Sequence, residues 1–118
     1  MKTRSRKAKG RRLQNWVRDE LLSLFTTLSR DDIYCAIMGE SGADVKFSSK
    51  AQKLLPYSIE CKNQESVNVW KSYAQAKGNA GEYEPLVVLK RNNTKPLVLL
   101  DAEYFIALHK VIKELANK

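Results

Sequence analysis

The run Leu86-Val87-Val88-Leu89 constrains the fold of this chain more than any other stretch. Neighbouring residues of a strand point to opposite faces. Four apolar residues in a row therefore need cover on both sides, which suits a strand buried on both faces of a sheet. The strand predicted here spans 85–90. Arg91-Asn92-Asn93-Thr94-Lys95 reads as a turn, and Pro96 to Leu100 reads as a following strand.

The other elements fall around that run. From Gly10 or Arg11 to about Leu28, apolar residues recur at helical spacing: Leu13, Trp16, Val17, Leu21, Leu24 and Leu28. Ser29 to Asp32 is a polar break. Ile33 to Met38 and Ala43 to Phe47 are read as strands joined by a turn with two glycines. Ser48 to Leu55 forms a short helix that Pro56 ends, and its Lys50 and Lys53 are solvated or near phosphate. Tyr57 to Lys62 is the third strand. A helix over roughly Val67 to Ala80 follows, with Val69, Trp70, Tyr73 and Ala76 or Lys77 on its inner face. Asp101 caps a last helix to about Ala116, with Tyr104, Phe105, Leu108, Val111, Ile112 and Leu115 as its apolar residues. The fold class expected is α/β (α+β). A single domain over 10–118 holds a mixed central sheet of about five strands flanked by helices. Its first three strands form an antiparallel meander, and a crossover strand lies beside them.

The chemistry concentrates at Ile59-Glu60-Cys61-Lys62 and Gly42-Ala43-Asp44-Val45. Alternation puts Glu60 and Lys62 on one face of a strand, with Ile59 and Cys61 on the other. Asp44, after a glycine-containing turn, brings a second carboxylate from a neighbouring strand. Two carboxylates bind a hard cation through oxygen, and the amine lies beside it, a set suited to metal-assisted attack on a phosphodiester. The bland alternative is that Glu60 and Lys62 form an ordinary surface ion pair. Glu20 falls inside the apolar stripe of the first helix, where an unpaired carboxylate is costly. It is either salt-bridged or at an edge, or it faces the two carboxylates. Gln14 lies at the flank of the same stripe. Gln75, on the later helix, is placed to reach a phosphate.

The net charge of +8 is unevenly distributed. Lys2, Arg4, Arg6, Lys7, Lys9, Arg11 and Arg12 are seven cations in the first twelve residues, which hold no acid. The remaining chain has 14 basic and 13 acidic residues. Residues 1–9 are read as a basic disordered arm that contacts nucleic-acid phosphates. Cys35 and Cys61 read as reduced core thiols, and with His109 they make no convincing zinc site. No apolar run approaches a membrane span, no secretory signal is recognised, and a cytoplasmic location is the default.

The pattern Gly-Ala-Asp44-Val with Ile-Glu60-Cys-Lys62, in this order of elements, resembles the PD-(D/E)xK nuclease superfamily. That group includes restriction endonucleases, phage exonucleases and archaeal Holliday junction resolvases. Lys9-Gly10-Arg11-Arg12-Leu13-Gln14, and Ile59 to Glu65 with Trp70 downstream, resemble the small resolvase-like nucleases, phage-encoded ones among them. Two positions depart from the pattern. Ala43 stands where a proline is usual, and Gln14 stands where the resolvases place a glutamate. The resemblance implies a restriction-endonuclease-like αβββαβ core and a metal-dependent DNA endonuclease acting on branched or otherwise structured DNA. It assigns Asp44 and Glu60 to Mg2+ or Mn2+, with the Ile59 or Cys61 backbone carbonyl and waters completing the shell. Lys62 then orients and helps deprotonate the attacking water, or stabilises transition-state charge. Cutting both strands of a symmetric junction calls for two sites, and a homodimer supplies them. The last helix or the 85–100 strands would form its surface. The alternative is a nucleic-acid-binding protein of the same fold without useful catalysis.

Overall fold

The structure is a computed structural model that describes residues 3–37 and 39–118. Its elements are α1 (Thr3–Leu24), β1 (Ile33–Cys35), β2 (Val45–Phe47), α2 (Ser49–Leu54), β3 (Tyr57–Asn63), α3 (Val69–Ala80), β4 (Glu84–Lys90), β5 (Leu97–Leu100) and α4 (Ala102–Ala116). The five strands make one mixed sheet in chain order. β1–β2, β2–β3 and β4–β5 are antiparallel, and β3–β4 is parallel across α3. The α+β single domain, the early meander and the crossover strand are thus as the sequence predicts.

β4 is covered on both faces, as its composition demands: Val87 and Val88 are 0% and 4% exposed. The alternation of β3 assigns the two layers. Ile59 and Cys61 belong to the core cluster with Val88, Leu13 and Val17, so this face lies under α1. Glu60 and Ser58 point the other way, and Asn79 of α3 meets both of them there. α3 approaches through small residues, with Ser72, Ala76 and Ala80 buried. Of the expected inner face, Ala76 is buried and Tyr73 half-buried, while Val69, Trp70 and Lys77 are exposed. Trp70 is 84% exposed, because a short-side-chain stripe lets the helix sit closer to the sheet than a Trp would allow.

Two further differences concern α1. The helix starts at Thr3, so residues 3–9 are helical rather than a disordered arm. Lys, Arg and Ala are all strong helix formers, and charge alone does not oppose a helix that packs downstream. Met1 and Lys2, and Met38 at the expected end of β1, lie outside the described residues. The buried seam of α1 is Leu13 and Val17, with Leu21 beside them, while Trp16 and Leu24 are substantially exposed.

α4 differs from every other long helix, since none of its residues is buried. Its main aromatic contact is Tyr104 against Tyr57, edge to face at 5.8 Å. Among the described residues no helix is long and apolar enough to cross a membrane.

Candidate active site

β2 and β3 stay paired only at Val45 and Ile59. Immediately before that pair the backbone becomes irregular. The Asp44 N–H donates to the Ile59 carbonyl (2.9 Å), while the Asp44 carbonyl accepts from the Ala36 N–H (2.8 Å). A regular strand residue turns both groups to the same neighbour. Asp44 instead ties to β3 on one side and to the segment after β1 on the other, so its backbone is fixed. Gly42 prepares this turn at φ +94°, and a Cβ there would also meet the Lys46 Nζ at 3.0 Å.

The side chain of Asp44 then takes over the ladder. Its Oδ2 accepts the Cys61 N–H at 2.8 Å. In an extended strand the Cys61 carbonyl faces the same edge as its N–H. That carbonyl is therefore directed to the gap where β2 has peeled away. The Ile59 carbonyl already accepts from Asp44, so of the two backbone oxygens considered, Cys61 is the one placed for a further ligand.

Glu60 lies one residue along and is 2% exposed. Its Oε1 accepts from Asn79 Nδ2 at 2.7 Å. Burial pushes its carboxyl up to about 7, and the adjacent Asp44 carboxyl adds to the rise, while Asn79 and Lys62 oppose it. The two acids are thus neighbours in space, although they stand 16 positions apart in the chain.

These groups open onto one cavity of about 810 Å³. Asp44, Glu60, Cys61 and Lys62 line it from the sheet, Gln14, Lys9 and Arg6 from α1, and Gln75 from α3. The sequence candidates Asp44, Glu60, Lys62, Gln14 and Gln75 are therefore brought together. Lys62 is not locked in an ion pair: among the described residues only Arg18–Asp19 and Lys46–Glu40 pair within salt-bridge range. The surface-pair alternative for Glu60 and Lys62 does not hold.

Glu20 does not reach the site. It is exposed and does not line the cavity. It shares its side of α1 with Trp16 and Leu24, four residues to either side, rather than with Leu13 and Val17. Of the basic cluster, Arg6 and Lys9 line the cavity, and Lys7 and Arg11 are exposed away from it. Lys2 and the side chain of Arg4 lie outside the described residues. Lys50 is used locally, donating to the Thr27 carbonyl at 2.9 Å. Cys35 and Cys61 are free thiols, half-buried and buried, and burial pushes both pKa values up.

Asn79 is the candidate site residue that the sequence reading misses. The available signal is its place one turn beyond Gln75 on the same helix. The oxygen donors able to hold a divalent cation are the carboxylates of Asp44 and Glu60, the Cys61 carbonyl and the Gln14 amide. Glu65 also lines the cavity, but among the described residues no three His, Cys, Asp or Glu side chains gather into a metal-holding group. Two adjacent carboxylates, Glu60 among them pushed toward protonation, fit a hard cation that favours the charged form of Glu60. No family model, curated protein or solved structure matches this chain.

Proposed function

We propose that the protein is a metal-dependent DNA endonuclease of the PD-(D/E)xK type, with Mg2+ or Mn2+ held by Asp44, Glu60 and the Cys61 carbonyl. The observation that carries this reading is the meeting of the two acids and Lys62 in one open cavity whose other wall is the basic end of α1. A bound divalent cation supplies Lewis-acid polarisation of the scissile phosphate and a lowered pKa for the attacking water. The chain's own groups do the rest. Lys62, on the face of β3 that carries Glu60, orients the water and stabilises the charge that develops as the phosphodiester is attacked. Asn79 holds the Glu60 carboxylate in one rotamer, and the Cys61 N–H holds that of Asp44. Arg6 and Lys9 neutralise strand phosphates beside the reacting one.

The substrate proposed is branched or otherwise structured DNA, cut by a homodimer. α4 supports the second part. Of the two surfaces considered, the 85–100 strands are half excluded, since β4 is buried between β3 and β5. α4 offers an unburied apolar face. In an antiparallel pair of α4 helices centred on Leu108, Phe105 meets Val111 and Glu103 meets Lys113, each twice by symmetry.

A second reading keeps the fold and the DNA but drops the chemistry. Gln14 favours it, because a neutral amide replaces a third negative ligand. The deciding experiment is a cleavage panel of single-stranded, duplex, forked and four-way DNA in Mg2+ and Mn2+. The nuclease reading expects metal-dependent cutting of at least one branched form. Salt-sensitive binding without cutting of any substrate would select the second reading.

A further inference from the structure

A second cavity adjoins the first, and its lining has a different chemistry. It has a volume of about 540 Å³ and is walled by Lys9, Arg12, Trp16, Asn63, Lys90 and Asn93, among others. Lys9 and Asn63 line both cavities, so the two lie side by side across these residues. The shared wall is fixed. Asn63 Nδ2 donates to the Lys9 carbonyl (3.0 Å), and Lys9 Nζ donates to Asn92 Oδ1 (2.6 Å). Glu65 accepts the Asn92 N–H at 2.8 Å, which holds the turn that carries Asn93, itself at φ 61°.

No carboxylate lines this second cavity, whereas three cations do: Lys9, Arg12 and Lys90, the last donating to the Arg91 carbonyl at 3.1 Å. Trp16, which lines it, is 47% exposed overall. An indole half open to solvent beside three cations and several amides is unsuited to an apolar partner and suited to a nucleotide. The cations take the phosphate, the ring takes a base, and the amides donate to and accept from the base edge. Duplex DNA keeps its base faces stacked inside and cannot use the ring, and the cavity is of small-molecule size.

We propose that this Trp16 cavity is a subsite for an unpaired nucleotide of the strand running out of the catalytic cleft. The inference rests on the nucleic-acid reading of the neighbouring site, and it adds a reason for structured substrates: only a strand with an unstacked base fills both cavities. It also gives Arg12 and Lys90 a role that the cleft does not.

The test uses the full chain carrying Trp70→Phe, which leaves Trp16 as the sole indole, in EDTA so that nothing is cut. An oligothymidylate of about eight nucleotides, within the span such grooves cover, is expected to quench Trp16 fluorescence saturably and less so as salt rises. Trp16→Ala is expected to weaken this single-strand binding roughly tenfold more than it weakens duplex binding, and Trp16→Phe to recover most of the loss. Absence of quenching while duplex DNA binds, or equal losses on both DNA forms, overturns the subsite and leaves the nuclease reading standing. Failure of every DNA form to bind overturns both.

Discussion

Around β2 and β3 the chain buries what it makes, whereas from β5 onward it leaves its apolar groups in water. Ile33 and Val45 are fully buried, Glu60 is nearly so, and the Glu60 and Asp44 carboxylates each have a hydrogen-bond donor. Leu97, Val98, Phe105, Ile106, Val111, Ile112 and Leu115 are all between 49% and 66% exposed. A carboxylate can be held at 2% exposure only by rigid, fully partnered surroundings. That is what the Asp44 turn on the peeled strand and the Asn79 amide of α3 provide. The second region lacks such support. A helix of 15 residues with nothing buried is marginal in water on its own, and the proposed dimer would cover its apolar face. The first region is therefore packed within one chain, and the second carries the apolar face on which the proposed dimer rests.

The comparison is broken most severely at the site. Lys62→Ala is expected to lower cleavage by roughly 10²–10³-fold, the range for removing one group that stabilises transition-state charge. Phe105→Ala is expected to leave the rate of a concentrated, preassembled sample near wild type. Single-turnover cleavage of a branched substrate measures both. If Phe105→Ala cost as much as Lys62→Ala, the two regions would not be separable.

Stability sharpens the contrast next. Ile33→Ala empties space in a closed core and should cost about 2–5 kcal/mol in urea unfolding. Ile112→Ala at a concentration where the chain is monomeric should stay within about 0.5 kcal/mol. At higher concentration Ile112→Asp and Phe105→Asp should each shift the dimer to monomer in sedimentation. A wild-type chain that stays monomeric at all concentrations, with and without DNA, would remove the role given to α4.

The smallest expected effect is a pH slope. The Glu60 carboxyl sits at about 7 in the folded chain against an ordinary 4.5. The folded state therefore binds this proton more tightly than the unfolded state. Its contribution to stability is complete below about pH 4.5 and is lost as pH rises through about 7. The metal-free melting temperature of wild type should carry that downward slope across this window, and Glu60→Gln should lack it.

Residues with local signals were legible in the sequence. The apolar run 86–89 announces a doubly covered strand, because period-2 geometry leaves no other reading. The same geometry puts Glu60 and Lys62 on one face without knowledge of any partner. Asp44 was legible from its glycine-containing turn and the neighbouring strand. What escaped depends on which helix face the body chooses. Trp16 and Leu24 extend the apolar stripe of α1 as well as Leu13 and Val17 do, and Glu20 was placed accordingly. Only packing decides that the stripe turns away from Trp16. The face of α3 is only partly legible for the opposite reason: Ala76 falls on the expected face, but Ser72 and Ala80 carry little hydrophobic signal while permitting close approach. The helical start at Thr3 was hidden by charge, which says what a segment contacts more clearly than how it is folded. The burial of α4 could not be read from its pattern, which is that of a packed helix whether its partner is in the same chain or another.

The central claim is that Asp44 and Glu60 form one cation-holding pair. Thermal unfolding of wild type and Glu60→Gln at pH 8, across a series of Mg2+ or Mn2+ concentrations, tests it without any assumption about substrate. A ligand that binds the folded state at a hundredfold excess over its Kd stabilises by about 2.7 kcal/mol. The account predicts a melting temperature that climbs with cation concentration in wild type and stays flat in Glu60→Gln. Equal shifts in the two proteins, or no shift in either, would contradict it.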